Sequence, residues 1–166
     1  MFQVDELVVY GVHGVCRVKE MQEHVVNKVR QQYLVLESTG KSGSQFMVPI
    51  QNTAAMSRLT ALISKEEWEN LLASPAVHTS NWIADENRRK QSYRELAGSG
   101  CRETLLQTIY SIYAHRTAQK ALGKRLHMCD ENFLHDAEKM LSSEIEAVLG
   151  LSAPEALDYL RTSLSA

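Results

Sequence analysis

The chain has 166 residues, of which 44% are hydrophobic and 23% charged, a balance typical of a folded protein and not of a disordered one. Its formal net charge is −2, and no segment approaches the run of about 18 apolar residues that spans a bilayer. The first ten residues, MFQVDELVVY, carry acids and lack the basic start and apolar stretch of a secretory signal. We therefore expect a cytoplasmic protein that does not enter a membrane.

The cysteines and histidines do not follow the spacing of a disulfide framework or a metal site. Cys16, Cys101 and Cys129 are odd in number and far apart. A site that combined Cys129 with His127 and His135 would lack the CxxC or HExxH spacing of strong metal motifs. We predict no disulfide, no metal and no cofactor.

The first 50 or so residues carry the pattern of short strands. The segments ELVVY, GVCRVKEM, QQYLVLES and SQFMVPI are rich in Val, Leu and Tyr and are separated by Gly, Asn and Ser. The STGKSGS segment supplies glycines for a hairpin connection. Four or five strands within about 60 residues predict a small, strongly bent antiparallel β-barrel.

From Ser64 onward the apolar period becomes helical. Ser64 and Glu67 are spaced as a capping box that opens the helix KEEWENLLA. Trp68 lies on the apolar stripe of that helix, between acids, and is expected in the core.

Four more helices follow in the pattern. One is predicted to begin at Asn81 or Trp82 and to end at the GSG segment after Leu96. Two longer ones are predicted in RETLLQTIYSIYAHRTAQKAL and in DENFLHDAEKMLSSEIEAVL, the second of which ends at Gly150. Ser152 is expected to cap a last short helix, PEALDYLRTSL.

The change of period predicts an α+β protein with two domains. Residues 1–60 are expected to form the antiparallel barrel, and residues 61–166 an all-α, antiparallel helical bundle.

Charge is distributed unevenly along the helical part. Residues 88–125 hold nine Lys and Arg against two acids, whereas residues 126–166 hold two against eight. Such sorting offers a positive surface to a polyanion. Two solvated helix faces that merely differ in charge would give the same counts, so charge alone leaves both interpretations open.

The YGVHGVC segment is the strongest candidate for catalysis, because His13 and Cys16 are close enough in sequence to form a thiolate nucleophile. A tight turn between two strands, with Gly11 and Gly14 in unusual backbone conformations, accounts for the same residues and leaves Cys16 buried. The chain has no GxSxG motif and no phosphate-binding glycine loop. We expect a protein that is not an enzyme and has no small-molecule substrate.

Binding is better supported than catalysis. Two groups of cations follow Trp82, namely Arg88, Arg89 and Lys90, and then Lys124 and Arg125 at the exit of the next helix. Together they predict a face that contacts phosphates. Trp82 itself is either a packing residue between elements or an exposed wedge for a DNA minor groove.

Several motifs occur in an order that resembles one family over nearly the whole chain. They are FQVDELVVYGVHGVCRV, YLVLES, FMVPI, NW followed by basic residues, ELAGSG and FLHDAEKMLSSEI. The chain resembles the CarD/CdnL-type bacterial transcription regulators, whose N-terminal module is shared with the transcription-repair coupling factor. The resemblance implies a Tudor-like barrel that binds the RNA polymerase β subunit, without catalysis, through the strand that carries Phe46, Met47 and Val48.

The same resemblance implies a helical domain that lies against promoter DNA at the upstream edge of the bubble. There the NW tryptophan, Trp82, inserts into the minor groove and stabilises the open complex. The segment DENFLH replaces a cation-bearing GEKKML of relatives, and Met47 replaces an arginine of some relatives. We therefore expect weak, salt-sensitive DNA binding. The alternatives are an adaptor that binds polymerase or another partner without DNA, and a small Cys/His hydrolase.

Overall fold

The structure, a computed structural model, describes residues 2–40 and 43–165. It separates into two units, Met1–Leu62 and Ile63–Ala166, each with its own hydrophobic core. The first unit is built on a β-sheet and the second is helical, so the predicted α+β class is confirmed. We call them the β unit and the helical unit.

Five strands form one antiparallel sheet in the β unit. They are β1 (Leu7–Tyr10), β2 (Val15–Val26), β3 (Val29–Ser38), β4 (Gln45–Pro49) and β5 (Leu59–Ala61). The order is β4-β3-β2-β1-β5. Among the described residues no pairing joins β4 to β5, so the sheet is open. The predicted antiparallel strands are confirmed, but the closure into a barrel is not.

The β2–β3 hairpin is longer than the sequence pattern suggests. Its turn consists of Asn27 and Lys28, which both have positive φ, 51° and 64°, as a two-residue hairpin turn requires. β2 pairs with β1 only up to Arg17, and β3 pairs with β4 only from Tyr33. The distal part of the hairpin is therefore a two-stranded arm. The predicted glycine-rich connection after β3 includes residues 41–42, which lie outside the described residues.

Six α-helices and two short 3-10 helices, Gly11–His13 and Pro75–His78, complete the described structure. The β unit holds the short α1 (Thr53–Met56). The helical unit holds α2 (Lys65–Ala73), α3 (Glu86–Ser99), α4 (Arg102–Ala121), α5 (Met128–Leu149) and α6 (Ala153–Leu164). None of the helices in the described part of the chain is both long and apolar enough to cross a membrane.

The local signals at the start of α2 are confirmed. The Ser64 hydroxyl accepts from the Glu67 backbone N–H at 3.1 Å, and the Glu67 carboxylate accepts from the Ser64 N–H at 3.5 Å. Trp68 is fully buried, as predicted, and its indole N–H donates to Glu144 at 3.0 Å. Glu144 also accepts from Arg102 at 2.8 Å, so one buried carboxylate joins α2, α4 and α5.

The predicted start of α3 is wrong by several residues. The helix begins at Glu86, and the side chain of Asp85 caps it by accepting from the Arg88 N–H at 3.0 Å. Its end agrees with the sequence, because Gly100 has a left-handed φ of 64°. Trp82 therefore lies in an irregular segment before the helix and not in its first turn.

Candidate functional site

Trp82 belongs to a loop that is hydrogen-bonded to α4. We call residues 81–84 the Trp82 loop. The backbone N–H of Asn81 donates to the Ser111 hydroxyl at 2.8 Å, and its side-chain amide donates to the Thr108 hydroxyl at 3.2 Å. Both hydroxyls are buried on α4. These bonds therefore fix the start of the Trp82 loop against a helix of the core.

The Trp82 indole is partly buried and packs against the helical core. The His115 imidazole stacks on it, with ring centroids 3.8 Å apart and an interplanar angle of 15°. The guanidinium carbon of Arg89 lies 4.4 Å from the indole centroid, which is a cation–π geometry. Two neighbouring side chains thus hold the ring while part of it remains exposed to solvent.

Arg89 is only 4% exposed, and its donors are used inside the helical unit. Its Nε and Nη2 donate to the two carboxylate oxygens of Asp130 at 2.7 and 3.1 Å. Its Nη1 donates to the carbonyl oxygen of Ile83 at 3.0 Å. This arrangement disfavours the predicted phosphate contact of Arg89, because Asp130 neutralises its charge and the side chain is shielded from solvent.

A tyrosine completes the hydrogen bonding of Asp130. The Tyr93 hydroxyl donates to Asp130 Oδ1 at 2.5 Å. Burial and, secondarily, this hydrogen bond raise the pKa of Tyr93 above its ordinary value of 10.0. The phenol therefore remains a neutral donor. With both oxygens bonded, Asp130 meets the requirement that a buried charge be paired.

The other predicted DNA-contacting cations lie at the surface. Arg88 on α3 is exposed, as are Lys124 and Arg125 in the connection between α4 and α5. Lys90 is partly buried, and its ammonium lies 3.4 Å from the Glu86 carboxylate. A surface pair of this kind is weak, so Lys90 remains available to an anion.

His127 brings the two groups of cations together. Its Nδ1 lies 3.5 Å from Arg89 Nη2 and 3.6 Å from the Glu86 carboxylate at the start of α3. Lys124 and Arg125 closely precede His127, so the backbone keeps their Cα atoms within about 11 Å of its own. We call Trp82 and the four cations Arg88, Lys90, Lys124 and Arg125 together the Trp82 surface, although Arg88 and Lys90 are two positions apart on α3 and therefore point about 160° apart.

Acidic side chains lie beside these cations. Asp85, Glu86 and Glu131 are all exposed, and they reduce the positive potential that a phosphate backbone would meet. The Trp82 surface therefore has a moderate positive charge at most.

The sequence patterns did not single out His115 and Asp130, of which the first holds Trp82 directly and the second through Arg89. His115 and Asp130 lie 33 and 48 positions after Trp82, and no local pattern distinguishes a buried acid from the exposed acids around it. The NW motif was the one sequence signal for the contacts that hold the Trp82 loop, because it includes Asn81.

The second candidate site is β4, which is an edge strand of the sheet. Met47 is 48% exposed, whereas Val48 is fully buried in the core of the β unit. The predicted polymerase contact through the Val48 side chain is therefore disfavoured, because that side chain faces the core. Phe46 is partly buried and packs on the rings of Tyr10 and His13, with centroids 5.5 and 4.3 Å away. Met47 and the outer edge of β4 are the accessible features.

The β unit, with this exposed edge strand, corresponds to a known domain family. Residues 2–60 match the family model for the CarD-like/TRCF RID domain. RID domains are RNA polymerase-interacting domains. The match ends at Thr60, so it does not include the Trp82 surface or any of α2–α6. No curated protein matches the chain.

The β unit also contains the residues of the hydrolase hypothesis, and their geometry does not favour it. The Cys16 thiol is fully buried and lies 3.9 Å from the Gly14 carbonyl oxygen. Burial raises the pKa of Cys16 to about 11, whereas a thiolate nucleophile requires a lowered pKa. His13 is exposed and packs on Phe46. Within residues 2–40 and 43–165, no three His, Cys, Asp or Glu side chains cluster as metal ligands do.

Proposed function

We propose that the chain is a non-enzymatic transcription regulator of the CarD/CdnL type. Its RID domain binds the β subunit of RNA polymerase, and its helical unit contacts promoter DNA at the upstream edge of the bubble. Trp82 inserts into the minor groove there and stabilises the open complex. The observation that carries the DNA contact is the partly exposed Trp82 ring, held on a fixed loop beside surface cations.

The polymerase contact is supported by the family match and by the exposed edge of β4. An edge strand presents unpaired backbone groups to which a strand of a partner can add. Met47 is the large apolar side chain of that strand at the surface. Its thioether adapts to an apolar pocket of varied shape.

Substitution of Met47 tests the polymerase contact. A carboxylate buried in an interface without a partner is strongly unfavourable, so Met47→Glu should weaken binding to the purified β subunit by about tenfold or more. Met21→Glu is the matched control, because Met21 is 45% exposed on β2 of the same domain. Binding is measured by fluorescence anisotropy with labelled full-length chain. Equal affinities of the two variants would contradict a contact at β4.

The DNA contact needs little intrinsic affinity. Tethering by the RID domain raises the effective DNA concentration at the helical unit to about the millimolar range. A few exposed cations are then sufficient, provided that the tryptophan favours the unstacked state of the DNA.

Trp82→Ala tests this contact through the lifetime of the open complex. Unstacking one base step costs about a few kcal/mol, so loss of the wedge should shorten the lifetime by about tenfold. The measurement is competitor-resistant open complex over time with a matched polymerase. Binding of Trp82→Ala to the β subunit should be unchanged, which serves as the control for folding and docking.

The second candidate is an adaptor that binds polymerase without contacting DNA. The acids Asp85, Glu86 and Glu131 beside Trp82 favour it, as does the burial of Arg89. The two candidates differ in one outcome. An adaptor keeps the open-complex lifetime when Trp82 is replaced, although Met47→Glu still disrupts polymerase binding.

A further inference from the structure

We propose that Arg89 is a positioning residue for Trp82. It holds the Trp82 loop in the conformation that presents the indole to DNA, and it does not contact phosphate. The inference rests on the proposed DNA contact of Trp82, although its structural part is measured without DNA.

Arg89 contacts both the ring and the backbone of the Trp82 loop. Its guanidinium carbon lies 4.4 Å from the indole centroid. The same guanidinium donates through Nη1 to the carbonyl oxygens of Ile83 and Ala84, at 3.0 and 3.4 Å. These two carbonyls immediately follow Trp82, so one planar group fixes the exit of the loop and the orientation of its aromatic side chain.

Asp130 on α5 fixes Arg89 in turn. The bidentate contacts of 2.7 and 3.1 Å determine the plane of the guanidinium, and the Tyr93 hydroxyl also donates to Asp130 Oδ1. Asp130, near the start of α5, thus fixes the guanidinium of Arg89, and Arg89 in turn fixes the Trp82 loop. Asn81 fixes the opposite end of the loop on α4, so both ends of the tryptophan segment are bonded to core helices.

Only a guanidinium supplies this combination of contacts. Its five N–H donors form a rigid planar fork, which bonds a carboxylate on one side and a carbonyl on another. Lysine has the same charge but a compact ammonium without a plane to stack on the indole. A tryptophan that is ordered before it binds loses less conformational freedom when it inserts. This is the contribution that the geometry assigns to Arg89.

Indole N–H signals in ¹⁵N relaxation measurements test the structural part on the full chain. The protein has two tryptophans, and Trp68 is the internal control because it is fully buried and bonded to Glu144. Arg89→Gln should lower the order parameter of the Trp82 indole from about 0.85 to about 0.6 or below, while that of Trp68 stays high. An unchanged Trp82 signal would overturn the proposal.

A second variant, Arg89→Lys, is needed if Arg89→Gln unfolds the helical unit, which loss of the Trp68 signal would reveal. The lysine keeps the charge beside Asp130 but lacks the fork, so Trp82 should again become mobile with Trp68 unaffected. Unfolding of both variants would overturn the proposal, since Arg89 would then support the whole unit and not the loop in particular.

DNA binding at several salt concentrations separates positioning from phosphate contact. Arg88→Gln should reduce the slope of log affinity against log salt by about 0.9, the value for one phosphate contact. Arg89→Gln should leave the slope unchanged and should shorten the open-complex lifetime as Trp82→Ala does, with no further loss in the double variant. A slope reduced by Arg89→Gln would overturn the proposal. If Trp82→Ala has no effect on lifetime, the proposed function fails while the relaxation result still decides the role of Arg89.

Discussion

Arg89 and Asp130 form a bidentate ion pair in the interior of the helical unit, with Nε–Oδ1 and Nη2–Oδ2 distances of 2.7 and 3.1 Å. The two side chains are 41 residues apart in the sequence and are both almost completely buried. The pair joins α3 to α5 at the point where the Trp82 loop enters α3.

Asp130→Asn should destabilise the helical unit strongly. The substitution leaves the Arg89 charge buried without a counter-charge, which costs about 3–5 kcal/mol in free energy of unfolding. Urea denaturation followed by tryptophan fluorescence measures this, because both tryptophans lie in the helical unit. Glu131→Gln, at the exposed neighbouring position, should change the value by less than about 0.5 kcal/mol. Similar stabilities of the two variants would contradict a buried ion pair.

His115 should contribute a loss of stability of the helical unit as the pH falls below the ordinary histidine pKa. Burial, and then the positive charges of Arg89 and His127 against the opposing effect of Asp130, lower the pKa of His115 from 6.5. Between its folded and unfolded pKa values, the unfolded chain binds a proton that the folded chain does not, so unfolding is favoured.

His115→Gln should therefore reduce the loss of stability between about pH 7 and about pH 5. The comparison is made within each variant, so that a change in absolute stability does not interfere. His135→Gln, at an exposed position on α5, should keep the wild-type pH dependence. His78 should have the opposite effect on the pH dependence of stability, because hydrogen bonds to the carbonyls of Ser74 and Ser163 raise its pKa. If His115→Gln also keeps the wild-type pH dependence of stability, the pKa of His115 is not lowered in solution.

The cations between α4 and α5 should contribute to DNA binding through salt-dependent contacts. Lys124→Gln and Arg125→Gln should each reduce the slope of log affinity against log salt by about 0.9. Lys65→Gln is the control, since Lys65 is an exposed cation on α2, outside the Trp82 surface. The measurement is fluorescence anisotropy with a promoter duplex at about 50–200 mM salt. Equal slopes for all three variants would show that neither Lys124 nor Arg125 contacts DNA phosphates.

The thiols of Cys16 and Cys101 should differ in reactivity. Cys101 is exposed, and hydrogen bonds from Thr104 lower its pKa, whereas burial raises the pKa of Cys16 to about 11. In single-cysteine variants at about pH 8, the Cys16 thiol should react with a disulfide reagent about a hundredfold more slowly than Cys101. Denaturant should remove the difference. Fast reaction of Cys16 in the folded chain would restore the hydrolase hypothesis.

Local patterns were sufficient for the class of the fold and for most element ends. The apolar period changes from that of strands to that of helices at Ser64, which divides the sequence into β and helical parts. The capping box formed with Glu67 is present as predicted. Gly100 and Gly150 end their helices in left-handed conformations. These features depend on contacts within a few residues, which is why a sequence reveals them. Closure of the sheet requires β4 to pair with β5, and this depends on how strongly the whole sheet bends; the described strands leave it open.

The sequence by itself determined that a tryptophan is followed by Arg88 and Arg89, and it treated the two arginines alike. Only the tertiary structure decided that Arg88 is exposed while Arg89 is buried against Asp130. Consecutive residues of an α-helix point about 100° apart, so two adjacent cations can face solvent and core respectively. Whether the inward one finds a carboxylate depends on how α5 packs against α3, and no local pattern contains that information.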